Sequence, residues 1–216
     1  MKVFDELLDL LLPTRCALCD ILGSALCSNC IGEFQLARTM VVREDLVGAV
    51  AAQYGAKEQK VLHAFKEKGQ TSLGSFLAEP LAEILSQLTV SVDRPILVPV
   101  PSSRENYKKR GFTPTKLLGK RVCKESSQVC VLVDSLRFQR KVVDQSHLDS
   151  EARRGNLAGS MVSDARVFGR QVIIFDDVVT TGSTILEATR AVTAAGGNVV
   201  SFLAFAETIL KTHSKT

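Results

Sequence analysis

Two stretches of this chain combine residue types in a way that ordinary folding does not require. In the first, Val172-Ile173-Ile174-Phe175 runs into Asp176-Asp177, then Val178-Val179, then Thr180-Thr181-Gly182-Ser183-Thr184, and then a helical pattern. Two adjacent carboxylates at the end of an apolar strand are costly to desolvate without partners. They are expected to face a solvent-filled crevice at the carboxyl end of a sheet, where open α/β folds bind ligands. Carboxylates so placed accept hydrogen bonds from vicinal hydroxyls, as a ribose would offer. The loop after them has small hydroxyl side chains, a glycine that tolerates unusual backbone angles, and a helix N-terminus at its end, which together suit a phosphate. A ribose site beside a phosphate site describes a ribose 5-phosphate. Singly, the acid pair reads as a turn and the Thr/Ser cluster as a helix cap; the order strand, acids, hydroxyl-glycine loop, helix favours the ligand site.

The second stretch is Ser102 to Gly111, which carries Arg104, Lys108, Lys109 and Arg110. Such cations suit an anionic ligand such as a polyphosphate. Arg104 and Arg110 are the leading candidates; the alternative is a solvated basic loop. Residues 140–156 add Gln145, His147, Arg153, Arg154 and Asn156, a polar cluster suited to a lid, although His147 alone reads as a surface histidine.

A separate signal lies near the N-terminus. Cys16-x2-Cys19 and Cys27-x2-Cys30, seven residues apart, are two chelating pairs whose thiolates select Zn²⁺ in a closed, structural tetrahedral site. Cys123 and Cys130 lack such spacing and read as small core residues.

The elements that position these groups follow from pattern. Val3, Phe4, Leu7, Leu8 and Leu11 are spaced for a short amphipathic helix before Pro13. Residues 47–54 read as a strand and 57–88 as two helices broken near Gly69. Strands are expected at 96–100, 129–133, 172–175 and 199–205, and helices at 114–124 and 183–195, with 149–156 also compatible with helix. This alternation specifies an α/β fold, a parallel sheet with helices on both faces. The expected division is a helix and cysteine module over 1–35 and an α/β domain over 45–210.

With 216 residues, 45% of them hydrophobic and 23% charged, the composition is that of a folded globular chain and excludes disordered and collagen-like classes. The net charge of +4 favours anionic partners. The apolar run 7–12 is far shorter than the roughly 20 residues of a membrane helix, so neither membrane insertion nor an export signal is read, and a reducing cytoplasm is expected. If 114–124 is helical, Lys116, Lys120 and Lys124 share one face beside Lys108 to Arg110, a stripe able to track nucleic-acid phosphates or simply a solvated face.

Asp176 to Thr184 resembles the phosphoribosyl-pyrophosphate motif of type I phosphoribosyltransferases. The chain as a whole is similar to the ComF family of competence-associated proteins: in its cysteine pairs, Ala64-Phe65-Lys66 to Gly69, Val98-Pro99-Val100-Pro101 followed by Lys109-Arg110-Gly111-Phe112, and Gln145, Leu148, Arg153 and Asn156 in order. Ser183 and Met161 stand where many relatives have alanine and phenylalanine. The resemblance implies a type I phosphoribosyltransferase-like fold binding phosphoribosyl pyrophosphate with Mg²⁺ and moving phosphoribose to an acceptor the sequence does not name. Asp176 and Asp177 would be catalytic. Val178, Val179, Thr180, Thr181, Gly182, Ser183 and Thr184 would bind substrate with Ser102, Ser103, Arg104, Lys109 and Arg110, the turn Pro101-Ser102-Ser103 serving pyrophosphate. It also implies an association with DNA uptake, and hence single-stranded DNA as a partner, on a scaffold that need not be catalytic.

Overall fold

The computed structural model describes residues 14–88, 94–127, 130–142 and 155–208. After a short helix α1 (Ser28–Ile31), strands β1 (Thr39–Arg43) and β2 (Leu46–Gln53) form a hairpin, followed by helix α2 (Ala56–Glu67) and helix α3 (Gly74–Leu88). Next come β3 (Ile96–Pro99), helices α4 (Arg104–Arg110) and α5 (Pro114–Glu125), and β4 (Val131–Leu132). A small pair β5 (Leu136–Phe138) and β6 (Met161–Ser163) precedes β7 (Gln171–Val179), helix α6 (Ser183–Ala194) and β8 (Asn198–Glu207). The main sheet runs β1-β2-β8-β7-β3-β4, parallel throughout except for β1 at the edge. The α/β expectation therefore holds.

Strand β7 sits at the centre, and its uniformly apolar start reflects burial on both faces. Ile173 and Phe175 point into one core layer with Phe65 of α2, Leu77 and Leu81 of α3 and Leu118 of α5. Val172 and Ile174 point into the other, with Ile185, Ala188 and Val192 of α6. Cys16, Leu26 and Cys30 pack into the first layer, so the cysteine-bearing segment rests on the same core as α2 and α3. Gly48 of β2 is required by packing, since a Cβ there would come within 2.4 Å of the fully buried Phe202 ring.

Three features differ from expectation. Residues 39–43 form an additional strand, paired with β2 from Thr39↔Val50 to Arg43↔Leu46, whose pattern is too short to stand out in the sequence. The basic segment after Ser103 is a helix and not a loop: the Ser103 hydroxyl accepts from the Asn106 amide at 3.2 Å, and Gly111, at φ 76°, closes the far end. Third, β7 does not end at Phe175 but continues through the acid pair, because β8 offers partners as far as Val179↔Glu207. The expected helix 3–12 lies outside the described residues, as do Gln145, His147, Leu148, Arg153 and Arg154; of 149–156 only the end is described, and 155–157 are helical.

The β5–β6 pair is fastened to α6 by one buried carboxylate. Glu187 accepts hydrogen bonds from the amides of Met161 (2.8 Å) and Gly159 (3.1 Å) and from Arg190 Nε and Nη2 (both 2.8 Å). Burial alone would raise its carboxyl, but the Arg190 guanidinium and the two amides outweigh that and hold it below the usual carboxylate range. A carboxyl depressed in the folded state stabilises above its unfolded value near 4.3, and that contribution is lost as pH falls through the folded value. Glu187→Ala is therefore expected to cost about 2 kcal/mol at neutral pH in denaturant titration, with the gap to wild type narrowing below about pH 4. Gly48→Ala is expected to cost about 1–3 kcal/mol in the same assay, because the added methyl would collide with the fully buried Phe202 ring.

Candidate functional site

The carboxyl ends of β3 and β7 open into a crevice of about 320 Å³. Its walls come from separate places in the chain. The turn after β3 supplies Val100 to Ser103, α4 supplies Asn106 and Arg110, and α5 begins there with Pro114 and Thr115. Phe138 and Val142 close one side, and Lys66 from the last turn of α2 closes another, opposite Asp176, Asp177 and Thr184. Thr115 fixes the mouth by donating its hydroxyl to the Val100 carbonyl at 3.0 Å.

Continuation of β7 makes the acid pair far less open than the sequence suggested: Asp176 and Asp177 are each only 7% exposed. The Asp176 carboxylate accepts from the Asp177 amide (2.8 Å), and that of Asp177 from the Val178 amide (3.0 Å). Lys66 forms an ion pair with Asp177. Burial pushes the Asp176 carboxyl up to about 7, with Lys66 opposing the rise. The same burial pushes the Lys66 ammonium down to about 8, against the attraction of Asp176. The pair and its lysine thus form one compact, charge-compensated unit at the crevice floor.

The neighbouring residue, Glu67, ties α2 to α4. It pairs with Arg110 and, at 3.0 Å, with Lys109. Burial would raise the Glu67 carboxyl, but Arg110 and Lys109 together hold it below the ordinary carboxylate range. Arg110 is mostly buried beside the crevice, whereas Lys109 is 71% exposed and points away from its lining.

After β7 the chain turns through Thr180 to Ser183. Gly182 has φ 85°, a left-handed conformation, and a Cβ there would meet the Arg43 side chain at 2.8 Å. Arg43 holds the turn from outside: its Nε donates to the Thr180 carbonyl (3.3 Å) and its Nη2 pairs with Glu207 (3.0 Å), both side chains largely buried. Within the turn, the Thr181 and Ser183 hydroxyls lie 2.9 Å apart and the Ser183 amide approaches Thr181 Oγ1 at 3.4 Å. The turn leads directly into the first turn of α6, whose amides at the N-terminus lack intrahelical acceptors and suit an anion.

Of the residues marked in the sequence, the crevice brings together Asp176, Asp177, Thr184, Ser102, Ser103 and Arg110. Thr180, Thr181, Gly182 and Ser183 form the adjoining turn. Val179 turns its side chain into one core layer and Val178, partly buried, packs against the other. Arg104 lines a neighbouring cavity of about 320 Å³ with Phe138, Arg140 and Lys141. The lysine stripe of α5 is partly engaged, Lys116 pairing with Asp134 at 2.6 Å. Lys66, Glu67, Arg43 and Glu207 were not marked as site residues. Lys66 falls in a stretch that carried the family resemblance, but nothing local signals that Arg43 meets groups more than 130 residues away.

The four N-terminal cysteines also converge. Their sulfurs all lie within 4.8 Å of one another, Cys19 and Cys27 at 3.7 Å. Four sulfurs at about 2.3 Å from a tetrahedral ion are about 3.8 Å apart, so the cluster fits a zinc module. Burial would raise the Cys16 thiol, yet hydrogen bonds from the backbone of Cys19, Cys27 and Leu18 bring it down to about 6, while burial and the neighbouring sulfurs push Cys30 up. Several thiolates at this separation require a cation between them. Cys123 and Cys130, by contrast, stand outside this cluster with their sulfurs 3.1 Å apart, half-buried against the helix layer.

No family model matches the chain. Over 166 residues it is 26% identical to the DNA utilization protein YhgH of Escherichia coli O157:H7, covering 73% of this chain and 70% of that one. A shorter stretch of 60 residues is 38% identical to the orotate phosphoribosyltransferase of Pyrobaculum islandicum, 28% of this chain and 31% of the relative. Among solved structures, a hypoxanthine phosphoribosyltransferase from Staphylococcus aureus overlays 65% of this chain and 70% of its own, with a TM-score of 0.41 and 12% identity. None of the helices described is long and apolar enough to cross a membrane. The chain is thus similar over most of its length to the YhgH proteins, and it combines an α/β sheet whose central strand ends in the acid pair and hydroxyl-glycine turn with a four-cysteine cluster on the same core.

Proposed function

We propose that the crevice binds phosphoribosyl pyrophosphate with Mg²⁺ and serves transfer of phosphoribose to a nucleophile. The observation that carries this reading is the meeting, at one crevice, of a buried acid pair, the cationic Arg110 and Thr184, with the hydroxyl-glycine turn adjoining at a helix N-terminus. Asp176 and Asp177 would accept the ribose hydroxyls and hold the divalent ion, which when bound shields the charge of the pyrophosphate. The turn from Thr180 to Thr184 would hold the 5-phosphate through amides and hydroxyls. Ser102 and Ser103, beside Arg110, would face the pyrophosphate.

In the transfer, the bond from the ribose anomeric carbon to the pyrophosphate oxygen breaks, and the electron pair leaves with pyrophosphate. The acceptor nucleophile forms the new bond to that carbon and gives up its proton to solvent or leaving group. Positioning and stabilisation of the leaving group carry such a reaction, and a strong general base is not required. The four cysteines would hold Zn²⁺ in a structural role, since all four positions of the tetrahedron are filled by sulfur. The DNA utilization name of the relative supports an association with DNA handling during competence. The engagement of Lys116, Lys109 and Arg110 by carboxylates leaves a weaker phosphate-tracking stripe than the sequence suggested.

Calorimetric titration of the zinc-loaded protein with phosphoribosyl pyrophosphate and Mg²⁺ tests the reading. Saturable binding is expected, weakened about 100-fold in Asp176→Asn/Asp177→Asn, the loss of two charge-assisted contacts. A well-folded protein that does not bind would sink the donor site and leave DNA handling as the better account. For the cysteine module, metal analysis is expected to return one zinc per chain. Stripping it, or replacing Cys19 with Ser, is expected to lower the thermal midpoint by about 5–10 °C, because the module packs on the same core as α2 and α3.

A further inference from the structure

We propose that Lys66 is an internal competitor for the divalent cation at Asp176-Asp177, so that the acid pair takes up a metal ion only weakly until an anionic ligand draws the lysine away. The inference rests on the reading of the acid pair as a cation-assisted ligand site, and it concerns a residue to which that reading gives no part.

Three observations carry it. The Lys66 ammonium contacts the Asp177 carboxylate, and a quarter of its side chain remains exposed to the crevice, so it can move without unfolding anything. The carboxylates have less freedom: they project from the central strand, with Asp176↔Ala204 and Val178↔Ala206 in register with β8, and one oxygen of each accepts from the amide of Asp177 or Val178. The other cation lining the crevice among the described residues, Arg110, is engaged by Glu67, which leaves Lys66 as the cation that contacts the pair.

A lysine is suited to such a place. Its ammonium is a compact point charge on a flexible stem of four carbons, unlike the rigid fork of arginine. It occupies the same electrostatic well that a divalent ion would enter, and two cations there repel each other. A ligand bearing phosphates changes the balance, because it offers the displaced ammonium a new anionic partner at the same crevice. Glu67 matters here as an anchor: by fastening the end of α2 to α4, it keeps the lysine within reach of both the acid pair and the pyrophosphate side of the crevice.

The test is a titration of the full zinc-loaded chain with Mn²⁺ alone, read from the electron paramagnetic resonance signal of free Mn²⁺. Lys66→Gln is expected to bind Mn²⁺ about tenfold more tightly than wild type, Lys66→Arg to bind it as weakly as wild type, and Lys66→Gln/Asp177→Asn to lose the gain. A purely structural ion pair predicts a lower thermal midpoint with no gain in metal affinity. Equal or weaker Mn²⁺ binding by Lys66→Gln would overturn the proposal, and so would an arginine variant that binds as tightly as the glutamine one. Lys66→Met, which keeps the aliphatic stem, gives the same reading should the glutamine variant not fold. Phosphoribosyl pyrophosphate is titrated separately: its failure to bind wild type, beside a tightened Mn²⁺ site in Lys66→Gln, would remove the functional reading and leave the competition intact.

Discussion

The acid pair imposes a constraint to which much of the site responds: two carboxylates stand on the central strand of a sheet covered on both faces, where charge cannot persist without compensation. The compensation comes from backbone amides one residue on and from Lys66 at the end of α2. That lysine follows Phe65, which is buried in the same core layer as Phe175 of β7. Packing of an apolar face and placement of a charge are thus the same event at this point of the chain.

Around that centre, long-range polar contacts convert a parallel sheet into a shaped site. Glu67 joins α2 to α4, Arg43 and Glu207 brace the turn after β7, and Glu187 with Arg190 seats the β5–β6 pair on α6. The first two are carboxylate–guanidinium pairs bridging elements far apart in sequence, and Glu187 reaches across through the Met161 and Gly159 amides while Arg190 holds it within α6; such contacts add orientation as well as attraction. The hydrophobic layers specify which elements pack; these pairs specify at what angle the crevice walls meet.

The cysteine module obeys a different rule. With little apolar content of its own, it relies on convergence of four sulfurs and on Cys16, Leu26 and Cys30 resting against the main helix layer. It is therefore an extension of the domain's core as well as a prospective metal site.

Local order along the chain was enough to announce β7, the acid pair, the hydroxyl-glycine turn and α6, because each depends on neighbours within a few residues: apolar burial, a left-handed glycine, a helix beginning. The cysteine pairs were legible for the same reason, since chelation is set by short spacing. What the sequence could not decide was how far β7 extends, that 104–110 is a helix, or which cation meets the acids. Strand length depended on β8 supplying partners through Glu207, and the helix on a single hydroxyl cap and a glycine stop around a basic run that also suits a loop. The partner of the acid pair comes from more than 100 residues earlier, and Arg43 from still further from its loop, so no window of sequence contains both ends of either contact. Residue types and local spacing determined what chemistry this chain can do; only the packing of α2, α4 and β1 around the sheet decided which charges face one another, because Coulomb energy depends on distance in space and not along the chain.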